Sequence, residues 1–225
     1  MEAIILAGGL GTRLQSVVSD VPKPMAPIND KPFLEYILEY LNKQNIKRVI
    51  LSVGYKWEII RDYFGDKFKN IEIIYNVENE RLGTGGAIKE SLKLINNEKC
   101  FVLNGDTFFD ISLNEMDINE SYIELGLKKM KNFDRYGVVE IDNKGFIQSF
   151  KEKAYYEEGL INGGIYLISK NIFNKFKLPK QFSFEEFLEN NFKNLKAKGK
   201  VFENYFIDIG IPEDYEKAKG YFCEK

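Results

Sequence analysis

The sequence predicts an α/β fold: a doubly wound, mostly parallel sheet, with a smaller lobe of strands behind it. Three observations carry this. As far as Asn104, strand-length apolar runs alternate with helical periods. The first run, Ala3-Ile4-Ile5-Leu6, feeds directly into the glycine loop Ala7-Gly8-Gly9-Leu10-Gly11-Thr12-Arg13-Leu14. From Ile123 onward the strand-like runs follow one another with shorter connections.

Glu2–Leu6 reads as a short strand, too continuously apolar to be half exposed. Phe33, Leu34, Ile37, Leu38 and Leu41 recur at helical spacing behind Pro32, a residue suited to a helix start. Arg48–Val53 is the next strand, and Trp57–Phe64 a helix stopped at Gly65. Ile71–Tyr75 is a third strand. The polar, glycine-rich stretch Asn76–Gly86 follows, then an amphipathic helix from about Ala87 to Ile95. Cys100–Asn104 is a fourth strand that delivers Gly105-Asp106.

In the second half, Ile123–Met130, Gly137–Ile141, Phe146–Phe150 and Leu160–Ile168 read as strands, with a hairpin turn at Asp142-Asn143-Lys144-Gly145. Ser183-Phe184-Glu185-Glu186 is a capping-box pattern opening a helix that ends near Phe192. Lys200–Phe206 is a late strand running to Asp208, and Pro212 opens a helix to about residue 222. No linker, repeat or low-complexity tract interrupts the chain. It is expected to form one domain, 1–225, with one half at about 1–115 and the other at about 116–225.

Composition narrows the chemistry. With 44% apolar residues the chain can bury a substantial core, which excludes a disordered protein. A net charge of −2 argues against a general nucleic-acid or membrane-surface binder. There is no charged-then-apolar leader and no apolar run of membrane-spanning length, so a cytoplasmic protein is expected. Cys100 opens an apolar run and reads as a reduced, buried thiol. The absence of histidine excludes Ser-His-Asp triads, His-ligated metals and histidine acid–base chemistry. A metal would be held by oxygens, which favours Mg²⁺.

The glycine loop is neither a Walker A motif, since no Gly-Lys-Ser/Thr ends it, nor Gly-x-Gly-x-x-Gly, since Leu14 stands at the last position. Its backbone N–H groups can still close on a phosphate, and Arg13 and Lys23 bring positive charge nearby. Asp106 and Asp208 each follow an apolar strand. Either one alone would be read as a cap or turn residue. Lys151 and Lys153 alone would be solvated surface, and Asn162-Gly163 alone a turn.

The stretch Gly8-Gly9-Leu10-Gly11-Thr12-Arg13-Leu14, followed by Pro22-Lys23-Pro24, resembles the signature of the sugar-1-phosphate nucleotidyltransferases. Later motifs extend the resemblance over nearly the whole chain. It implies a Rossmann-like, GT-A-like nucleotidyltransferase fold with a mixed, mainly parallel sheet, its nucleotide half first and its acceptor half second. By the resemblance, Leu6, Ala7, Gly8, Gly9, Gly11, Thr12 and Arg13 wrap the NTP, with Arg13 and Lys23 as the catalytic cations. Asp106, beside the nucleotide, and Asp208 match the two Mg²⁺-binding aspartates, with Asp110 ranked third. Phe108 argues against the Asp-x-Asp of enzymes that consume nucleotide sugars.

Leu82-Gly83-Thr84-Gly85-Gly86-Ala87 matches the loop that reads the base, through Gly83 and Thr84, with Glu78 ahead of it at a polar base-contacting position. A carboxylate there can accept from guanine's N1–H and amino group, which favours GTP. Arg81 stands where relatives often carry proline. In the acceptor half, Tyr136-Gly137-Val138, Glu152-Lys153 and Asn162-Gly163-Gly164 match sugar- and phosphate-binding motifs. Gly137, Glu152, Lys153, Asn162 and Gly163 are the substrate-binding candidates, and Ala154 replaces a usual proline.

The implied partners are small molecules, an NTP and a sugar 1-phosphate, with neither nucleic acid nor membrane; assembly as a homo-oligomer is left open. The motif Asp208–Tyr215 near the chain's end is shared with short guanylyltransferases of heptose 1-phosphates, which supply GDP-heptose for surface polysaccharide. Mannose-, glucose- or N-acetylmuramate 1-phosphate with GTP, CTP or UTP stays open. So does a nucleotide-sugar-binding protein without turnover. The chemistry needs no histidine: a phosphate monoester, with a second pKa of about 6, is already mostly dianionic at neutral pH and needs no general base. Alignment and positive charge remain to be supplied.

Overall fold

A computed structural model describes residues 1–9, 14, 18 and 20–223 of the chain. Strand β1 is Glu2–Ala7. The short pair β2, Pro27–Ile28, and β3, Lys31–Pro32, leads into α1, Phe33–Lys43. Then come β4, Arg48–Val53, α2, Trp57–Phe64, β5, Lys67–Phe68, and β6, Ile71–Val77. Helix α3 is Gly83–Ser91, followed by β7, Lys99–Asn104, and β8, Thr107–Phe109. The second half contributes β9, Ile123–Phe133, β10, Val138–Ile141, β11, Ile147–Lys151, β12, Tyr156–Ser169, α4, Phe184–Asn191, β13, Lys198–Phe202, β14, Phe206–Asp208, and α5, Pro212–Cys223.

The central sheet has eight strands in the order β13-β9-β12-β7-β1-β4-β6-β5. Strands β7, β1, β4 and β6 run parallel, so their carboxyl ends share one edge. Antiparallel β12 joins this unit to the second half, Ile165 pairing with Leu103, and β13 pairs parallel with β9 beyond it. The sheet is therefore mixed, as expected.

Its inner strands are apolar throughout because both faces are covered. Ala3, Ile5, Val49, Leu51 and Leu103 pack with α1, α2 and α5 on one face. Ile4, Ile50, Cys100 and Val102 pack with α3 and α4 on the other. Cys100 is a buried, free thiol, and burial pushes it up to about 12. Among the described residues no helix is long and apolar enough to cross a membrane.

Two expectations need correction. The helix placed at Ala87 begins at Gly83, so its glycines form the first turn and not a loop. The strand read as Lys200–Phe206 and on to Asp208 is two strands: β13 lies in the main sheet, and β14 leaves it to pair with β8. Residues 203–205 turn the chain between them, which apolar periodicity cannot reveal. The capping box at Ser183 forms in part. Its hydroxyl accepts from the Glu186 N–H, but it donates to Glu185.

At the opposite edge, Glu2 ties the sheet to the turn after α3. Its carboxylate accepts from Arg48, the Asn96 and Asn97 N–H groups and the Asn97 side chain, at 2.6–2.9 Å. Burial alone would raise this carboxyl, but those bonds together hold it below its usual range. A lowered folded pKa gives stability that is present above the ordinary glutamate range, about 4.3, and lost as pH falls through the folded value. Glu2→Gln is therefore expected to cost about 2–3 kcal/mol in urea unfolding at neutral pH. The gap to wild type should narrow below about pH 4. Equal stabilities at pH 7 would refute this role.

Candidate active site

The shared edge of the parallel strands holds the candidate site, as open α/β sheets dispose. Strand β7 ends in Asn104 and then turns at Gly105, whose N–H donates to the Leu6 carbonyl at 2.9 Å. A Cβ on Gly105 would stand 2.6 Å from that same carbonyl, so only glycine lets the chain cross β1 here and project Asp106. The β8–β14 ribbon then sets Asp208 opposite Thr107, and the Ile209 N–H donates to the Asp106 carbonyl at 3.0 Å. Two aspartates far apart in sequence are thus placed side by side by three residue pairs of antiparallel register.

Lys23 meets them from a 3₁₀ turn, Lys23–Met25, entered from extended Pro22 and carrying Pro24 within it. The prolines hold the backbone here while the side chain reaches across the sheet edge. Its ammonium donates to Asp106 Oδ2 at 2.5 Å and lies 3.9 Å from Asp208 Oδ1, and its side chain is only 11% exposed. Asp208 Oδ1 also accepts from the Gly210 N–H at 2.6 Å. Burial, and then the neighbouring Asp106 carboxylate, push the Asp208 carboxyl above its usual range, against the opposing pull of Lys23, the Gly210 N–H and Arg135.

Two further residues belong to this cluster: Arg135, which sequence reasoning did not single out, and Tyr136, which it named only as part of a motif. The Arg135 guanidinium pairs with Asp214 in the first turn of α5 and stands over the Tyr136 ring, 5.5 Å from its centroid. Its charge reaches Asp208. Tyr136 packs edge-on against Phe206 of β14, and burial followed by the Asp208 charge raises its hydroxyl pKa. The signal was present: Asp214 lies inside the Asp208–Tyr215 motif, and Arg135 immediately precedes Tyr136-Gly137. What the sequence lacks is the pairing that connects them.

The remaining candidates fall in separate places. Leu6 and Ala7 end β1, and Gly8 and Gly9 follow; Gly11, Thr12 and Arg13 lie outside the described residues. Gly8 abuts Glu78, whose Oε1 would stand 2.9 Å from a Cβ at that glycine. Glu78 accepts from the buried Ser52 hydroxyl at 3.1 Å, and burial raises its pKa.

Gly83 has φ +69, and its missing Cβ would lie 2.5 Å from the Phe182 carbonyl, so close approach of the 180–182 segment requires this glycine. The Thr84 hydroxyl accepts from the Phe184 N–H at 2.8 Å and donates to Glu185 at 2.7 Å. That hydroxyl is spoken for by α4, which leaves main-chain groups for a ligand. In the second half, Gly137 faces the Lys151 carbonyl and Gly163 the Phe109 ring. Asn162 bonds Tyr166 and the Gly164 N–H within an irregular stretch of β12. Glu152 and Lys153 are exposed on the β11–β12 connection and, among the described residues, enter no ion pair.

Asp106 and Asp208 suit a cation. The pair already surrounds one, the Lys23 ammonium, and the cradle is finished by the absence of a side chain at Gly210, where a Cβ would come 2.7 Å from Asp208 Oδ1. Among the described residues no group of three His, Cys, Asp or Glu side chains converges. Two carboxylates with remaining positions open to phosphates and water is a donor set that Mg²⁺ accepts and Ca²⁺ cages exceed.

A nucleotidyl transferase family profile matches residues 2–224. The chain belongs to the nucleotidyl transferase family. It is 62% identical over 215 residues to the D-glycero-alpha-D-manno-heptose 1-phosphate guanylyltransferase of Campylobacter jejuni, covering 96% of this chain and 97% of that protein. It is 53% identical over 224 residues to the same-named protein of Aneurinibacillus thermoaerophilus, covering 97% of each. The crystal structure of HddC from Yersinia pseudotuberculosis complexed with GMP-PN superimposes with a TM-score of 0.86 at 40% identity, covering 98% of this chain and 99% of that one. Members of the family generally use a divalent metal.

Gly210→Ala tests the cradle. The added methyl must displace the Asp208 carboxylate or the Lys23 ammonium, 3.3 Å from its position. A misplacement on the ångström scale is expected to lower kcat about 10²-fold while leaving the far-ultraviolet circular dichroism spectrum unchanged. Wild-type turnover in this variant would show that the cradle tolerates the methyl.

Proposed function

We propose that this protein joins GTP to a heptose 1-phosphate, D-glycero-α-D-manno-heptose 1-phosphate, releasing pyrophosphate and forming the GDP-sugar. The observation that carries the chemistry is the Lys23–Asp106–Asp208 cluster at the carboxyl edge of the parallel strands. The full-length identity to two heptose 1-phosphate guanylyltransferases supports the substrates. The nucleotide half is about 1–115 and the acceptor half about 116–225. Such a product would serve surface-polysaccharide synthesis, and a cytoplasmic setting would supply the GTP.

In this reading a phosphate oxygen of the sugar 1-phosphate attacks the α-phosphorus of GTP, the bond from that phosphorus to the β-phosphate bridging oxygen breaks, and pyrophosphate leaves with the electron pair. The nucleophile is already ionised, so no residue need take a proton. Gly8, Gly9, Gly11 and Thr12 would offer main-chain N–H groups to the triphosphate. Arg13 and Lys23 would oppose the charge that gathers there. Asp106 and Asp208 would hold Mg²⁺, which supplies further charge against the phosphates when bound. Glu152, Lys153, Asn162, Gly137 and Gly163 would receive the sugar 1-phosphate.

A pyrophosphate-release matrix of four NTPs against heptose, mannose and glucose 1-phosphates is expected to give its highest kcat/KM with GTP and the heptose. No release from any pair would sink the enzyme reading. Lys23→Ala is expected to lower kcat at least about 10²-fold, the scale of one lost charge stabiliser.

Glu78 is the proposed reader of guanine. Glu78→Gln is expected to raise the KM for GTP about 10–100-fold with a smaller change in kcat, the worth of a bidentate base contact. Only the ionised carboxylate accepts both guanine donors, and burial has raised the pKa of this group. Discrimination between GTP and ATP should therefore weaken as pH falls, beginning above the ordinary glutamate value of about 4.3. A pH-independent ratio of the two kcat/KM values would remove Glu78 from this role.

A further inference from the structure

Lys23 occupies an unusual place for a group meant to meet a triphosphate. Its ammonium is turned inward, 2.5 Å from Asp106 Oδ2 and 3.9 Å from Asp208 Oδ1, with its side chain 11% exposed. Gly210 closes the space beside it, since even a methyl there would approach Nζ to 3.3 Å. Arg135, whose charge also acts on Asp208, is already paired with Asp214. Among the described residues no third carboxylate joins the pair as a ligand set. An ammonium and a metal ion would therefore have to share the same two carboxylates, with Lys23 already on Asp106 Oδ2 and near Asp208 Oδ1.

We propose that Lys23 is the resident counter-cation of the aspartate pair and that a divalent ion enters by displacing its ammonium, which frees the lysine to turn to the phosphates. The inference rests on the reading that Asp106 and Asp208 hold a divalent cation. Two like charges side by side in a partly buried cleft repel each other, and the ammonium compensates them in the free enzyme. The flanking prolines hold the backbone, so the change is a swing of the four-carbon side chain. Lys23 then has two partners in succession, carboxylate and phosphate. The metal ion couples them: the lysine is withheld from substrate until the cation is in place. No bond forms or breaks and no proton moves in this exchange.

The test is Mn²⁺ binding without nucleotide, read as free Mn²⁺ by electron paramagnetic resonance. Lys23→Met removes the competing charge at nearly constant volume and is expected to bind Mn²⁺ about tenfold tighter than wild type; Lys23→Arg, which keeps the charge, should not. A lysine serving only to bind phosphate would leave Mn²⁺ affinity unchanged. Equal or weaker Mn²⁺ binding by a folded Lys23→Met protein overturns the displacement but leaves the cation site standing. If neither protein binds Mn²⁺ at millimolar metal, the cation site itself falls, and displacement with it. Should Lys23→Met fail to fold, the wild-type chain gives the answer by mass-spectrometric acylation. Mn²⁺ should raise the labelling of Lys23 several-fold, and unchanged or reduced labelling overturns the proposal.

Discussion

The ribbon between β8 and β14 holds Asp106 and Asp208 on either side of the Lys23 ammonium. Three pairs of residues in antiparallel register do this, and each part of the site depends on them. The ribbon lies outside the main sheet, so it can turn both carboxylates into the cleft at the strand ends without breaking the parallel ladder. Gly105 makes the departure possible by letting the chain pass over the Leu6 carbonyl.

That arrangement carries an electrostatic cost. Two partly buried carboxylates side by side favour protonation of one, and the raised Asp208 carboxyl expresses it. Lys23, Arg135 and the Gly210 N–H oppose the effect, but burial and Asp106 prevail. A site with excess negative charge in a cleft is one that attracts a cation, and a triphosphate can approach only once that charge is met. The same physics that makes the cluster expensive in the free chain makes it useful with substrates.

Around this cluster the two halves are joined by short-range contacts that depend on glycine. The α3 glycines face the 180–182 segment and Gly163 faces the Phe109 ring, while within the second half Gly137 faces the Lys151 carbonyl. Thr84 adds a hydroxyl clasp to the start of α4. These glycines, which read as ligand contacts by resemblance, have packing reasons of their own in this fold. The two roles are compatible, since a backbone free of side chains can pack on one face and bond a ligand through its amide.

By itself the sequence determined the long strands and most of the helices of the first half, because a sheet covered on both faces demands unbroken apolar runs and helices marked by their periodicity. It also determined which residue types could do the chemistry: no histidine, carboxylates at two strand ends, and cations at Arg13 and Lys23. It missed the first turn of α3 and the break between β13 and β14, where propensity is silent and a partner segment decides. Only the tertiary structure decided that Asp106, Asp208 and Lys23 form one cluster and that Arg135 and Asp214 pair beside them. Register between distant strands sets those distances, and register is a property of pairs of segments that no single stretch of chain contains.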